Sequence, residues 1–395
     1  MEPKNNYFKE LGITLKENVR EYGMYIALAA VMLIFTILSN GLFISPRNLS
    51  NLLDQTGYIA VLAIGMTLII VIKHIDLSVG YVAGFIGAVA AILMTQFHVP
   101  VLVAIILVLI LGIIIGLWHG FLVAFMGLPA FVATLAGMLI FRGALLYVTQ
   151  GSGTIIIPDN FFNALSNGFI PDIVKIPGVH VLTLIIGILA VIFYIYSEFK
   201  TRKNKLKYNF KVLGMGVFMT KLIFVSIIIL TISTVLAIYE GISWTVVIML
   251  VTVAVYHIVT NKTVLGRHIY AVGGNSEAAE LSGIDVKKIT LIVFASMGFL
   301  AALAGILFAS RLHSATVTAG AGFEMDAIAA AYVGGTSANG GIGKVTGTMI
   351  GAIFMSALLS GMSLIGMGIS LQYLIRGMVL ITAVIFDIRT RIKRA

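Results

Sequence analysis

Cysteine is absent from this 395-residue chain, which removes disulfides, thiolate metal sites and cysteine nucleophiles together. Charge is scarce as well. Asp, Glu, Lys and Arg make up 11%, against about a quarter in an ordinary globular domain. No stretch alternates apolar and polar residues in strand fashion, so a β-barrel is excluded. A nucleophile elbow, an HExxH helix and a Ser-His-Asp pattern are all missing, leaving no positive sign of catalysis. His74, His119 and His257 have no histidine or carboxylate three or four residues away, which argues against a metal site.

What remains is hydrocarbon. Apolar residues make up 59% and the mean hydropathy is +1.07. Runs such as Tyr22 to Asn40 and Val101 to Leu117 carry no charge over the roughly 17 to 25 residues that cross about 30 Å of bilayer as a helix. The chain reads as an all-α polytopic membrane protein. The first 20 residues are polar and the run after them is too long for a signal peptide, so the first span is expected to stay.

Apolar segments place about twelve spans, at about residues 22–40, 52–72, 80–94, 101–125, 130–147, 181–196, 218–239, 242–260, 289–310, 327–333, 345–365 and 369–388. The tenth has only seven apolar residues, too few to cross alone at 1.5 Å each, so it is expected to be a broken helix inside the bundle. The net charge of +10 would suggest nucleic acid in a soluble protein. Here it marks one side of a membrane. With both termini cytoplasmic, 19 of the 26 lysines and arginines fall inside, as the positive-inside rule demands, provided the short tenth segment counts as a crossing. The resulting division is a tail (1–21), one transmembrane domain (22–388) and a basic tail (389–395). The domain includes an exterior loop at 149–180, a basic cytoplasmic loop at 200–211 and a polar cytoplasmic loop at 261–288.

Three polar segments interrupt the hydrocarbon. In the stretch from Gly266 to Lys288, Asn275 or Ser276 can cap a short helix with Glu277 to Leu281 as its body and Gly283 as its stop. So short a helix persists only if pinned or docked, and it reads either as a knob for a soluble partner or as an ordinary ordered loop. In KHIDLSVG, Asp76, Ser78 and Gly80 lie between two apolar runs. In the third, Glu324 and Asp326 precede a loop of Gly334, Gly335, Thr336, Ser337, Ala338, Asn339, Gly340, Gly341, Ile342, Gly343 and Lys344. That loop ends in Gly-Lys but is no phosphate loop, because Ala338 and Val345 stand where glycine and Ser or Thr are required. It is either a polar loop lining a path or a tight cytoplasmic turn. The three carboxylates sit where burial is costly, and could order a pathway, bind substrate hydroxyls or carry protons, or lie idle at the interface. Arg142, Lys221 and Arg376 read as snorkelling side chains.

Taken together, the Gly266–Lys288 stretch, IDLSVG at Ile75–Gly80 and DAIAAAYVGGTSANGGIG at Asp326–Gly343 resemble the permeases of bacterial ABC importers for monosaccharides, the ribose, xylose and galactose group, and most of all the xylose type. The resemblance covers nearly the whole chain. It implies a second copy of the chain, cytoplasmic ATP-binding cassette subunits that hold the ATP and magnesium, an exterior sugar-binding protein, and a multi-pass location in the bacterial cytoplasmic (inner) membrane. No cofactor is implied for this chain itself. Glu277, Ala278, Ala279 and Gly283 match the EAA-x3-G core of the ABC docking motif, with Asn275 as the cap of that coupling helix. The distal part of the motif is not recognisable. Asp76, Ser78, Gly80, Glu324, Asp326 and the 334–341 loop are then expected along the translocation path. Two extra spans around the basic run tilt the substrate toward a pentose. The alternative class is a secondary transporter driven by protons or sodium through Asp76, Glu324 or Asp326.

Overall fold

The structure is a computed structural model that describes residues 19–150, 153–210 and 212–392. Most of the expected N-terminal tail, Lys211 and residues 393–395 lie outside the described residues.

Helix α1 (Val19–Leu38) leads through a 3-10 turn at Leu42–Ile44 into α2 (Pro46–Val71), which Ser45 caps and Pro46 opens in the first-turn position that needs no amide hydrogen. Then come α3 (Val79–Thr95), α4 (Val101–Ala124) and α5 (Ala130–Thr149). A short segment holds β1 (Thr154–Ile156), α6 (Asn160–Asn167), β2 (Lys175–Ile176) and β3 (Val179–His180). Helices α7 (Val181–Lys207), α8 (Met215–Ile238) and α9 (Trp244–Lys262) precede α10 (Val264–Gly274) and α11 (Ser276–Leu281). The chain continues with α12 (Val286–Leu312), β4 (Ser314–Thr316), α13 (Phe323–Val333), α14 (Val345–Leu364) and α15 (Ile369–Ile392).

Among the described residues nine helices are long and apolar enough to cross a bilayer: α2, α4, α5, α7, α8, α9, α12, α14 and α15. The apolar part of α1 and the 17 residues of α3 are shorter, and α13 has 11. Helix α2 is the axis of the fold. From Tyr58 to Ile72 every residue is buried, because the sequence is apolar on all sides and α12, α13, α14 and α9 surround it. Helix α12 lies closest to α4, where Gly112 and Gly116 meet Gly298 and Phe294 backbone to backbone. Small residues at four-residue spacing permit that approach, and in lipid such packing replaces the absent hydrophobic drive.

Three local expectations change. The basic run from Lys200 to Lys207 is not a loop but the last two turns of α7, where lysines favour the negative helix end. Helices α7 and α8 form a hairpin at the edge of the bundle, closed by Lys221 Nζ on Glu198 Oε1 at 2.8 Å and by the Arg202 guanidinium over the Phe218 ring, so Lys221 is paired rather than snorkelling. The 149–180 segment is structured: α6 buries Phe162 and packs on α12, while β1 pairs antiparallel with β4, Ile155 opposite Ala315. The Gly266–Lys288 stretch opens with α10, whose Ile269 and Val272 are buried.

Candidate functional site

The polar segments resolve into two places. The first lies inside the bundle, where the N-terminal ends of α3 and α13 converge. A Cβ on Gly80 would overlap the Gly320 carbonyl oxygen and a Glu324 carboxylate oxygen, so only glycine allows this contact. Asp76, just before α3, accepts hydrogen bonds at Oδ1 from the Ser78 amide (2.9 Å) and the Ser78 hydroxyl (2.6 Å). Glu324 and Asp326 occupy the first turn of α13, where the helix dipole favours a negative charge. Arg376 of α15 donates to Asp326 Oδ1 at 2.5 Å, an ion pair that replaces the expected snorkelling role. Glu324 Oε2 is buried and has no hydrogen-bond partner among the described residues. The Tyr58 ring of α2 packs edge-on against Phe308 and at a tilt against Phe323 beside this cluster. Asp76, Ser78, Gly80, Glu324 and Asp326 are thus one neighbourhood.

Sequence spacing did not reveal two further members, nor a buried carboxylate outside the cluster. His119 of α4 borders a void of about 10 Å³, room for one water, together with Asp76 and Ser78. Arg376 stands 50 residues from its partner. Apart from the cluster, Asp54, buried in the N-terminal part of α2, accepts a hydrogen bond from Ser243, the cap of α9. In sequence Asp54 had only its charge within an apolar run to give it away.

The second place is the C-terminal end of α2. Loop residues 334–344 do not join the Asp76 cluster but fold back onto the end of α2 and onto α10. Gly341 N donates to Val71 O at 2.8 Å, Ser337 N to Ile342 O at 2.9 Å, and Tyr270 Oη of α10 to Gly343 O at 2.7 Å. Lys73 Nζ reaches Gly274 O at 3.1 Å. Gly334 packs against Gly347 and Thr348 at the start of α14. Thr336 and Ser337 are buried, and the Ser337 hydroxyl accepts from Asn339 N, while Gly335 and Gly340 turn the chain with φ near +87° and +76°.

Beside this junction stands α11. Asn275 Oδ1 accepts from Ala278 N at 3.0 Å, Glu277 lies in the first turn, Ala279 is buried against the bundle, and Gly283 leaves the helix at φ +82°. Leu281 is 91% exposed at its tip. A six-residue helix is marginal alone, and α10, the cap and α12 hold it. A cleft of about 560 Å³ opens on the same end, lined by Lys73, His74, Ile75, Pro129 and Lys287.

A model of the family described as branched-chain amino acid transport system / permease component matches residues 48–159 and 161–384. The chain belongs to this permease family. The match spans α3, α13 and the α10–α11 junction. Among relatives, the xylose transport system permease protein XylH of Haemophilus influenzae is 38% identical over 370 residues, 94% of this chain and 96% of that protein. The protein of the same name from Escherichia coli K12 is 36% identical over 374 residues, 95% and 93% of the two chains. The ribose import permease protein RbsC of E. coli K12 is 35% identical over 362 residues, 92% of each. No solved structure matches the chain. As a member of a transport-permease family built of apolar helices, the protein is a multi-pass membrane protein.

Proposed function

We propose that this chain is the membrane-spanning subunit of an ATP-driven importer for a monosaccharide, a pentose such as xylose, delivered by an exterior sugar-binding protein. Two copies work together in the bacterial cytoplasmic membrane. Each has twelve spans, counting α1, α3 and the short α13, and both termini lie in the cytoplasm. ATP and magnesium reside on separate cassette subunits, and this chain performs no covalent chemistry.

The observation that carries the reading is α11: a capped, anchored helix of one and a half turns with a leucine almost wholly in the open, at the end of the molecule that also holds Lys73 and Lys287. An exposed leucine on a pinned stub is suited to a partner's groove. Asn275, Glu277, Ala278, Ala279 and Gly283 are its coupling residues. Movement of α11 reaches α2 through α10 and the 334–341 loop, which share hydrogen bonds with the end of α2. Helix α2 runs past the Gly80–Glu324 junction, and Asp76, Ser78, Gly80, Glu324 and Asp326 shape the path there. The pentose assignment draws support from the relatives named for xylose and from the α7–α8 hairpin, which is the pair of extra spans.

The test is uptake of labelled xylose into proteoliposomes holding the permease, its cassette subunits and the loaded binding protein. Uptake that needs lumenal ATP and ignores ionophores supports the reading. Uptake that persists without ATP and collapses with an ionophore supports a proton- or sodium-coupled transporter, for which the buried, unpartnered Glu324 Oε2 is the structural argument.

A further inference from the structure

Two features on one face of the protomer are out of place against lipid. One is Arg142. Contact of Gly112 with Gly298 sets the midpoint of α4 against the midpoint of α12, and Gly305, about 10 Å further along α12, meets Ala83. Tyr81 therefore lies roughly 7 Å from the midplane, about 8 Å inside the edge of a hydrocarbon core about 30 Å thick. Leu145 packs on Gly84, and the Arg142 guanidinium lies over the Tyr81 ring at 5.6 Å from its centre, so Arg142 shares that depth. Its guanidinium rests on that ring, and Arg142 is exposed on the surface of the protomer.

The other feature is the backbone before α13. Residues Val317–Gly322 have no helical or strand ladder, yet Ala319 and Gly320 touch Gly84 and Gly80 at that same depth, and Thr318 and Ala321 are exposed. Met325, one turn on, is exposed as well. Ala319 N and Ala321 N bond only within turns, to Thr316 O and Thr318 O, and lipid offers no partner for a guanidinium or for backbone groups outside such turns. Irregular backbone persists at such depth only where protein covers it or water reaches it.

We propose that Tyr81 and Arg142 line the aqueous translocation path, which runs along the outer face of the protomer formed by α3, α5 and the 317–322 segment, and that they contact the passing sugar. The proposal rests on the importer reading for the identity of the solute. An aromatic ring presents an apolar face suited to the C–H face of a sugar, and a guanidinium supplies several donors for its hydroxyls. A neutral polyhydroxylated solute suits the pair, because it can displace the water around the guanidinium and restore its hydrogen bonds without a buried counter-charge.

The absence of native cysteine makes a direct test clean. Arg142→Cys and Tyr81→Cys are each assembled with the cassette subunits, and their labelling by a charged, membrane-impermeant methanethiosulfonate is timed. Leu189→Cys, at an exposed position of α7, serves as the lipid-facing reference and Ile173→Cys in the 168–180 segment as the aqueous one. The expected result is labelling of both path positions more than an order of magnitude faster than Leu189→Cys, with xylose-loaded binding protein and ATP slowing it. Labelling of both no faster than Leu189→Cys overturns the proposal. Wild-type uptake measured in parallel separates the two claims. ATP-dependent uptake with inert cysteines leaves the importer and removes this path, whereas reactive cysteines with ATP-independent uptake keep the path and remove the importer.

Discussion

The carbonyl oxygen of Val71, the last residue of α2, accepts the amide hydrogen of Gly341 at 2.8 Å, and Gly273 of α10 lies against the same oxygen. Three segments distant in sequence therefore share one atom. A side chain on Gly273 would overlap Val71 O and crowd Gly341 N. In Gly273→Ala, α10 must pull away from α2, and transport is expected to fall by at least about tenfold while membrane insertion persists. Uptake set against the amount of inserted protein checks this.

Gly283 differs in kind. Nothing stands within 4 Å of a Cβ placed there, so a bulky residue meets no atom of this chain and costs only the left-handed strain of roughly 1–2 kcal/mol. Gly283→Phe should therefore fold and insert yet lose its cassette subunits on purification. Wild-type uptake in that variant would remove α11 as the docking element.

The Asp326–Arg376 pair joins α13 to α15 at 2.5 Å, with both side chains largely buried. Arg376→Ala leaves a buried carboxylate without its cation, and breaking such a pair costs about 3 kcal/mol or more. Thermal unfolding in detergent should show a clear loss. Arg376→Met combined with Asp326→Leu should recover most of the stability while losing transport.

Asp172, in the segment before α7, accepts backbone amides from Ile173 (2.8 Å), Val181 (2.7 Å) and Leu182 (2.9 Å). Loss of solvent pushes its pKa up, but these amides, with His180 nearby, outweigh that and hold it below the usual 3.8. A depressed folded pKa means stability that is present above the unfolded pKa and lost as pH falls through the folded one. The wild-type chain should lose more stability than Asp172→Asn as pH is lowered from about 5 through that range, and parallel melting curves would contradict this.

Much of the architecture was legible in the apolar runs because a bilayer forces backbone polar groups into helices, and each of the twelve segments coincides with a helix. The cap at Asn275 and the stop at Gly283 were equally legible, since both depend on local chemistry. Helix α10 was hidden by its mixed face, with Arg267, His268 and two terminal glycines masking Ile269 and Val272. The 334–341 loop was expected along the path from its polar glycine-rich backbone and the family resemblance, and the fold adds that Gly340 and Gly341 lie close against the end of α2 and α10. Arg376 carried no sequence signal as the partner of Asp326, nor His119 as a neighbour of Asp76 across a small void, because each approach joins elements far apart in the chain.

The most direct test is native mass spectrometry of the tagged chain, released gently from membranes that also contain its cassette subunits and binding protein. The account predicts two copies of this chain retaining ATPase subunits, and loss of those subunits in Gly283→Phe. A chain released alone or as a bare dimer, under conditions that keep other importers whole, would contradict it.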